Sequence, residues 1–419
     1  MRIRFGCIAD DFTGATDLAG LMVRAGLDVT LRVGLPETAA PPQSPVEIVA
    51  LKSRMGPAEE AVAASRRALA WLRQGGAERV YFKYCSTFDS TAQGNIGPVA
   101  AALLADLGGG QTVYCPAFPE NGRRVFMGHL FVGRLPLDES PMKDHPLTPM
   151  RDSSLVRLLQ PQIGAAPGLI DLPLILQGAR AVRRALPDLP AHIIADAVGD
   201  QDIVTLAQAL TGLVLTTGGS AFGAALGLAL AREGLPLVRT SATALRPIPG
   251  GQITLSGSCS AMTRQQVAHY ARLFPALKLD PLVLAAEGPG AALNWLKAQP
   301  AMAPKLIYAT AEPDEVAAAQ SRLGVDGSGR VVEQALATLA RAAFDLGTRR
   351  FVVAGGETSG AVVGALGGAS LAVGPEIAPG VPWTFARVEG QDIALALKSG
   401  NFGAEDFFTR AHAMIEGAA

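Results

Sequence analysis

Apolar residues cluster along this chain in short blocks, separated by stretches in which they return about every third or fourth position. Short blocks of about four to eight residues rich in apolar side chains suit the strands of a sheet covered on both faces by helices. In the first half they fall at residues 2–9, 28–33, 46–51, 78–84, 112–115, 191–196 and 213–217. The intervening pattern predicts helices. Ala15, Leu18, Ala19, Met22 and Val23 share one face after the first block, and residues 57–74 and 97–107 follow suit, with Pro57 in a first turn. Around Gly128 the alternation of Val125, Met127, Leu130 and Val132 predicts a hairpin inserted into this order.

Two Pro-rich irregular stretches follow the same reading, residues 36–45 and residues 141–152, the second carrying His145, Thr148 and Arg151. The sharpest break is at residues 240–251, where Pro247-Ile248-Pro249-Gly250-Gly251 ends one pattern before another starts. Beyond it strands are expected at residues 252–256, 305–309, 351–354 and 393–398, with helices at 261–273, 331–346 and the end of the chain. The expected fold is α/β: two doubly wound, Rossmann-like domains with a cleft between them, residues 1–240 and 250–419.

Composition narrows the function. The net charge of −1 with 17% charged residues offers neither a nucleic-acid footprint nor a basic membrane face. Cys7, Cys85, Cys115 and Cys259 lie far apart, so they read as core or site-wall thiols of a reducing compartment and not as a zinc or disulfide framework. Residues 203–231 carry no charge, yet Thr216-Thr217-Gly218-Gly219-Ser220 punctuates them as a strand and a helix start, not a membrane span. No secretory leader is expected, because Asp10 interrupts an apolar start only one strand long. The expected location is cytoplasmic.

Chemistry concentrates where strands hand over to helices. Ile8-Ala9-Asp10-Asp11-Phe12-Thr13-Gly14-Ala15-Thr16-Asp17 puts two adjacent carboxylates at the end of the first strand. Their repulsion is costly unless they hold hydroxyls or a cation, although Thr13 and Gly14 also suit an ordinary turn. Asp10 and Asp11 are the candidate catalytic pair. Arg54 and Lys83 end neighbouring strands and suit a carboxylate, with Ser86 and Asp89 adding hydroxyl and acceptor; a plain pair of surface cations and a helix cap is the alternative. His145 joins this set through its loop, and the five scattered histidines show no metal-ligand spacing.

In the second half Phe351-Val352-Val353-Ala354-Gly355-Gly356-Glu357-Thr358-Ser359-Gly360 leaves a buried strand and enters a helix. Glycines and a helix N-terminus receive phosphate, Thr358 and Ser359 add hydroxyls, and Glu357 suits a nucleotide's Mg2+; simple strand-to-helix packing is the alternative. Ser256, Ser258, Gly400 and Gly403 stand in two further Gly/Ser turns at strand ends. Neither a P-loop nor a dinucleotide G-x-G-x-x-G is present.

Together these stretches resemble the four-carbon acid sugar kinase family nearly end to end. The resemblance is carried by residues 8–17, by Lys83-Tyr84-Cys85-Ser86-Thr87-Phe88-Asp89-Ser90-Thr91-Ala92-Gln93-Gly94-Asn95-Ile96-Gly97, by residues 145–152 and by residues 256–263. It implies a sugar-acid-binding first domain and a nucleotide-binding second one, with ATP contacting Ser258 and residues 355–360 and 400–403. Residues 83–97 resemble the branch acting on 3-oxo-tetronate at its 4-hydroxyl. A threonate or erythronate kinase, or a non-catalytic sugar-acid binder, are the alternatives. The implied partners are a small-molecule sugar acid, ATP and Mg2+, with a homodimer left open and no nucleic acid or membrane.

Overall fold

The computed structural model describes residues 1–36, 40–144, 148–237 and 245–417. It is mixed α/β and divides into two compact units, Met1–Arg239 and Thr240–Ala419. The first unit holds β1 (Phe5–Ala9), β2 (Val29–Val33), β3 (Val46–Ala50), β4 (Arg79–Lys83) and β5 (Thr112–Cys115). After these come the small strands β6 (Arg123–Phe126), β7 (His129–Val132) and β8 (Leu135–Pro136), then β9 (Gly168–Ile170), β10 (His192–Ala195) and β11 (Leu215–Gly218).

The main sheet of this unit runs β2-β3-β1-β4-β11-β5-β10-β9, all parallel. From β1 the helix Phe12–Arg24 leads outward to β2, whereas from β3 the helix Ala58–Gln74 leads back past β1 to β4. Right-handed crossovers in opposite directions put these helices on opposite faces. Accordingly, the first packs with Ser220–Ala231 and the second with Ile96–Asp106. Pro57 stands just before its helix, in extended conformation, and not inside the first turn. The hairpin β6–β7 turns at Met127 and Gly128, whose φ angles of 49° and 73° are those of a two-residue primed turn, and β8 extends it.

The second unit holds β12 (Gly251–Ser256), β13 (Ala276–Lys278), β14 (Leu306–Tyr308), β15 (Thr348–Ala354), β16 (Ser370–Ala378), β17 (Val381–Val388) and β18 (Gln391–Lys398). Their order is β13-β14-β12-β15-β18-β17-β16, parallel through β18 and antiparallel across β17 and β16. The antiparallel pair was not expected from the sequence, where Pro375, Pro379 and Pro382 break up the run. Its core gathers Trp383, Tyr270, Phe407 and Phe408. Among the described residues no helix is long and apolar enough to cross a membrane. The uncharged residues 203–231 form β11 between two helices.

Candidate functional site

In an open parallel sheet, ligands collect at the carboxyl ends of the two strands from which the chain leaves in opposite directions. In the first unit those strands are β1 and β4. Asp10 and Asp11 follow β1, Lys83 closes β4, and Arg54 arrives from the loop after β3. That loop is tied on by the Ser53 and Arg54 amides, which donate to the Asp10 carbonyl at 2.9 and 3.1 Å. Asn95, buried, donates its amide to the carbonyls of Ser53, Arg54 and Gly56 at 2.8–3.2 Å and so anchors the same loop from the start of the helix Ile96–Asp106.

Arg54 grips both carboxylates. Its Nε and Nη2 donate to the Asp10 carboxylate at 2.9 and 2.7 Å, and Nη2 also reaches Asp11 Oδ1 at 2.5 Å. Asp11 caps the helix Phe12–Arg24, accepting from the Gly14 amide at 2.9 Å and from the Thr13 hydroxyl at 2.9 Å. Asp10 is 2% exposed, and Asp11 is 23% exposed at its side chain. Burial pushes the Asp10 carboxyl up, against the Arg54 guanidinium that holds it down. Burial also works against the Arg54 charge, but Asp10 and Asp11 outweigh it and keep the guanidinium protonated. Lys83 is 3% exposed and donates to the Tyr84 carbonyl at 2.7 Å.

The loop after β4 turns on Phe88, a fully buried non-glycine residue at φ 51° that packs edge-on against Tyr84 at 5.5 Å. A side chain held in the left-handed region is strained and persists only where its surroundings fix it. This bend presents Thr87, which donates to Asp89 at 2.6 Å, and half-buried Ser86. Burial pushes the neighbouring Cys85 thiol up to about 12. The structure thus gathers Asp10, Asp11 and Arg54 by direct bonds and places Lys83, Ser86 and Asp89 at the end of the adjoining strand. His145 lies outside the described residues; Arg151 is exposed and pairs with Asp144 at 3.7 Å.

The second unit repeats the arrangement with β12 and β15 as the diverging strands. Between their loops opens a cavity of about 760 Å3 lined by Ser258, Gly355, Gly356, Glu357, Thr358 and Gly400, among others. The Gly257 amide donates to the Ala354 carbonyl at 3.0 Å, so the two loops start side by side. Gly355 has φ 120°, which L side chains rarely adopt, and it turns the chain directly into the helix Gly356–Leu366. The amides of that first turn have no helical acceptors and point outward with the positive end of the helix dipole. Ser256, Ser359, Gly360 and Gly403 are not in the cavity wall. Ser256 bonds Thr310 at 2.7 Å, and Ser359 donates to the Gly355 carbonyl at 2.7 Å, so both support the loops from beneath.

Comparison with known proteins agrees with this division. Residues 5–226 match the family described as a sugar-binding N-terminal domain, and residues 253–408 one described as a nucleotide-binding C-terminal domain. A "3-oxo-tetronate kinase" of Burkholderia multivorans is 50% identical over 99% of this chain and 98% of its own. One of the same name from Cupriavidus necator is 51% identical over 98% and 97%. This chain belongs to the four-carbon acid sugar kinase family. Among solved structures, a Salmonella typhimurium protein described as a putative tRNA synthase is 40% identical, with a TM-score of 0.85 over 98% of this chain and 99% of that one. A Haemophilus influenzae protein is 41% identical, with a TM-score of 0.78 over 98% and 100%.

Several residues in and around the second unit's cavity carry no local sequence signal. Lys278, at the end of the short β13, lines that cavity and pairs with Glu315 at 2.5 Å. Thr263 and Gln266 sit on one face of the helix Ala261–Ala271 and hold the turn after β18: Thr263 donates to the Gly400 carbonyl at 2.7 Å, and Gln266 to those of Phe402 and Ala404 at 3.0 and 2.8 Å. Among the described residues no group of three or more His, Cys, Asp or Glu side chains gathers to hold a metal ion.

Proposed function

We propose that this chain is a kinase that moves the γ-phosphoryl group of ATP onto 3-oxo-tetronate, at its terminal 4-hydroxyl. The observation that carries this reading is identity of about 50%, from end to end, with proteins named 3-oxo-tetronate kinase. In the transfer an O4–Pγ bond forms, the bond from Pγ to the ADP oxygen breaks, and the hydroxyl proton leaves. Such a reaction needs positioning and charge neutralisation more than covalent help.

We assign ATP to the second unit's cavity. The first-turn amides at Gly356, Glu357 and Thr358 would receive phosphate oxygens, with Ser258 and Gly400 on the facing loops. Mg2+, where present, supplies charge neutralisation on the phosphates, and Glu357 is the carboxylate of that turn suited to it. The sugar acid is assigned to the first unit. Asp11, the more exposed carboxylate, would touch substrate hydroxyls together with Ser86 and Asp89. Asp10 is spent on Arg54 and acts by positioning it. Lys83, and the Arg54 Nη1 that makes no bond among the described residues, would meet the substrate carboxylate. Soluble substrates of this kind make the cytoplasm the expected place of action.

A coupled ADP-release assay over four-carbon acids and their 3-oxo forms tests the reading. The expected result is the highest kcat/KM on a 3-oxo-tetronate. Preference for threonate or erythronate would replace the substrate, and binding without turnover on every acid would remove the kinase.

A further inference from the structure

Beneath the turn at residues 399–403 lies a lysine that the reaction has not yet used. Lys398 is the last residue of β18 and is fully buried. Its backbone carbonyl accepts from the Gly355 amide at 2.9 Å. Its ammonium donates to the Gly400 carbonyl at 2.9 Å and to the Thr263 hydroxyl at 3.1 Å. One residue therefore joins two of the loops that line the second unit's cavity. No carboxylate partners it among the described residues, although an isolated buried charge is costly and an apolar side chain of equal length would fill the space more cheaply. A cation kept there under a phosphate-facing wall has an electrostatic use.

We propose that Lys398 is a positioning residue for the nucleotide, locking the Gly400 turn to the Gly355 turn and carrying positive charge beneath the bound phosphates. This rests on the assignment of that cavity to ATP. Burial alone draws the lysine from its ordinary value down to about 7, so near neutrality it is only partly charged in the free protein. Charged groups on the elements around it are engaged elsewhere. Arg264 reaches the Cys259 carbonyl and Glu312, and His269 faces Glu405. Arg350 reaches the Gly250 carbonyl, His412 contacts the Thr254 hydroxyl, and Glu357 lines the cavity. Incoming phosphates therefore act as the counter-charge, and nucleotide binding takes up a proton onto Lys398. The sign follows: affinity is greatest where the lysine is already charged and falls as pH rises above about 7.

Titration calorimetry with ADP and the full-length protein, in buffers of different ionisation enthalpy, reads this directly. At about pH 8 the ADP phosphates are already ionised, so any uptake belongs to the protein. Wild type is expected to take up most of one proton there, and to lose affinity by up to about tenfold per pH unit. In Lys398→Met, which keeps the stem and loses the charge, the uptake should vanish and the pH slope flatten. A variant that binds more weakly but keeps the wild-type uptake would leave Lys398 a purely structural strut and overturn the inference. If the variant does not fold, the wild-type protein decides alone: ADP binding without proton uptake overturns this inference only. No ADP binding at any pH removes the nucleotide assignment with it.

Discussion

At the scale of single residues, Arg54 decides how the first site works. Asp10 is buried against it, so removing the guanidinium leaves a carboxylate stripped of its counter-charge, a change that typically costs about 3–5 kcal/mol. Arg54→Met should therefore lower the melting temperature, and by an amount that depends on pH. Asp10 has a folded value above its ordinary one, so the folded state holds its proton longer than the unfolded chain. Stability then falls as pH rises from the ordinary carboxylate range through the folded value. Without Arg54 that value climbs further. The difference in melting temperature between wild type and Arg54→Met should be smaller at about pH 5 than at about pH 8. An equal difference at both would show that Asp10 does not depend on Arg54 for its charge. Lys83, by contrast, is bonded only to a backbone carbonyl among the described residues and is the better candidate for meeting a substrate. Lys83→Met should raise KM for the sugar acid about tenfold to a hundredfold, the loss of one charge-assisted bond, and leave ATP affinity nearly unchanged. An amide analogue of the acid sharpens the test, because the variant should lose most of the wild-type preference for acid over amide. A preference that persists would put the carboxylate elsewhere.

Between elements, the same short sequence form serves two different physical ends. Gly218-Gly219 and Gly355-Gly356 each join a strand to a helix. At Gly218 a Cβ would come within 2.2 Å of the Cys115 carbonyl oxygen, so glycine there allows a close strand contact. At Gly355 the demand is a backbone angle, and the turn opens onto the cavity. Facing it, Gly257 has no room for a Cβ either: that atom would sit 2.2 Å from Thr358 Oγ1. Gly257→Ala should thus push the β12 loop off the helix Gly356–Leu366 and raise KM for ATP by about tenfold or more, with the sugar-acid KM little changed. Thr358→Ala in the same chain removes the clashing hydroxyl and should recover part of that loss. Additive effects in the double variant would mean that the two loops are not coupled at the site.

For the molecule as a whole, the two units should differ in their response to acid. His412 is buried in the second unit beside Thr254 and Tyr270, and burial drags it down to about 3. The unfolded chain takes up that proton near the ordinary histidine value, so stability is complete above about pH 6.5 and is lost as pH falls toward 3. Scanning calorimetry of the full chain from about pH 7 to about pH 4.5 should show the second unit's transition moving down faster than the first's. His412→Gln, which keeps a hydrogen-bonding group without a titrating proton, should flatten that shift. Parallel movement of both transitions in wild type and variant alike would rule out His412 as the cause.

The local chemistry of the chain was enough to place most of its strands, about half of its helices and the strand ends that carry the candidate sites, but not β9, β13, β16 or β17. Short apolar-rich blocks mark buried parallel strands, and two aspartates or two glycines at a strand's end stand out without knowledge of any partner. Nearest-neighbour pattern could not reveal what those residues bond to. That Arg54 is spent on Asp10 depends on two loops from separate strands meeting at a switch in strand order. Lys278 was invisible because a three-residue strand leaves no period to read, and β16 and β17 because prolines interrupt runs that only their neighbours in the sheet make regular. Thr263 and Gly400 stand 137 positions apart, and Lys398 looks in the sequence like any lysine at the end of a strand. Only packing shows it buried, because hydrogen bonds and desolvation are set by what the folded chain brings near, while periodicity records only which face of its own element a residue occupies.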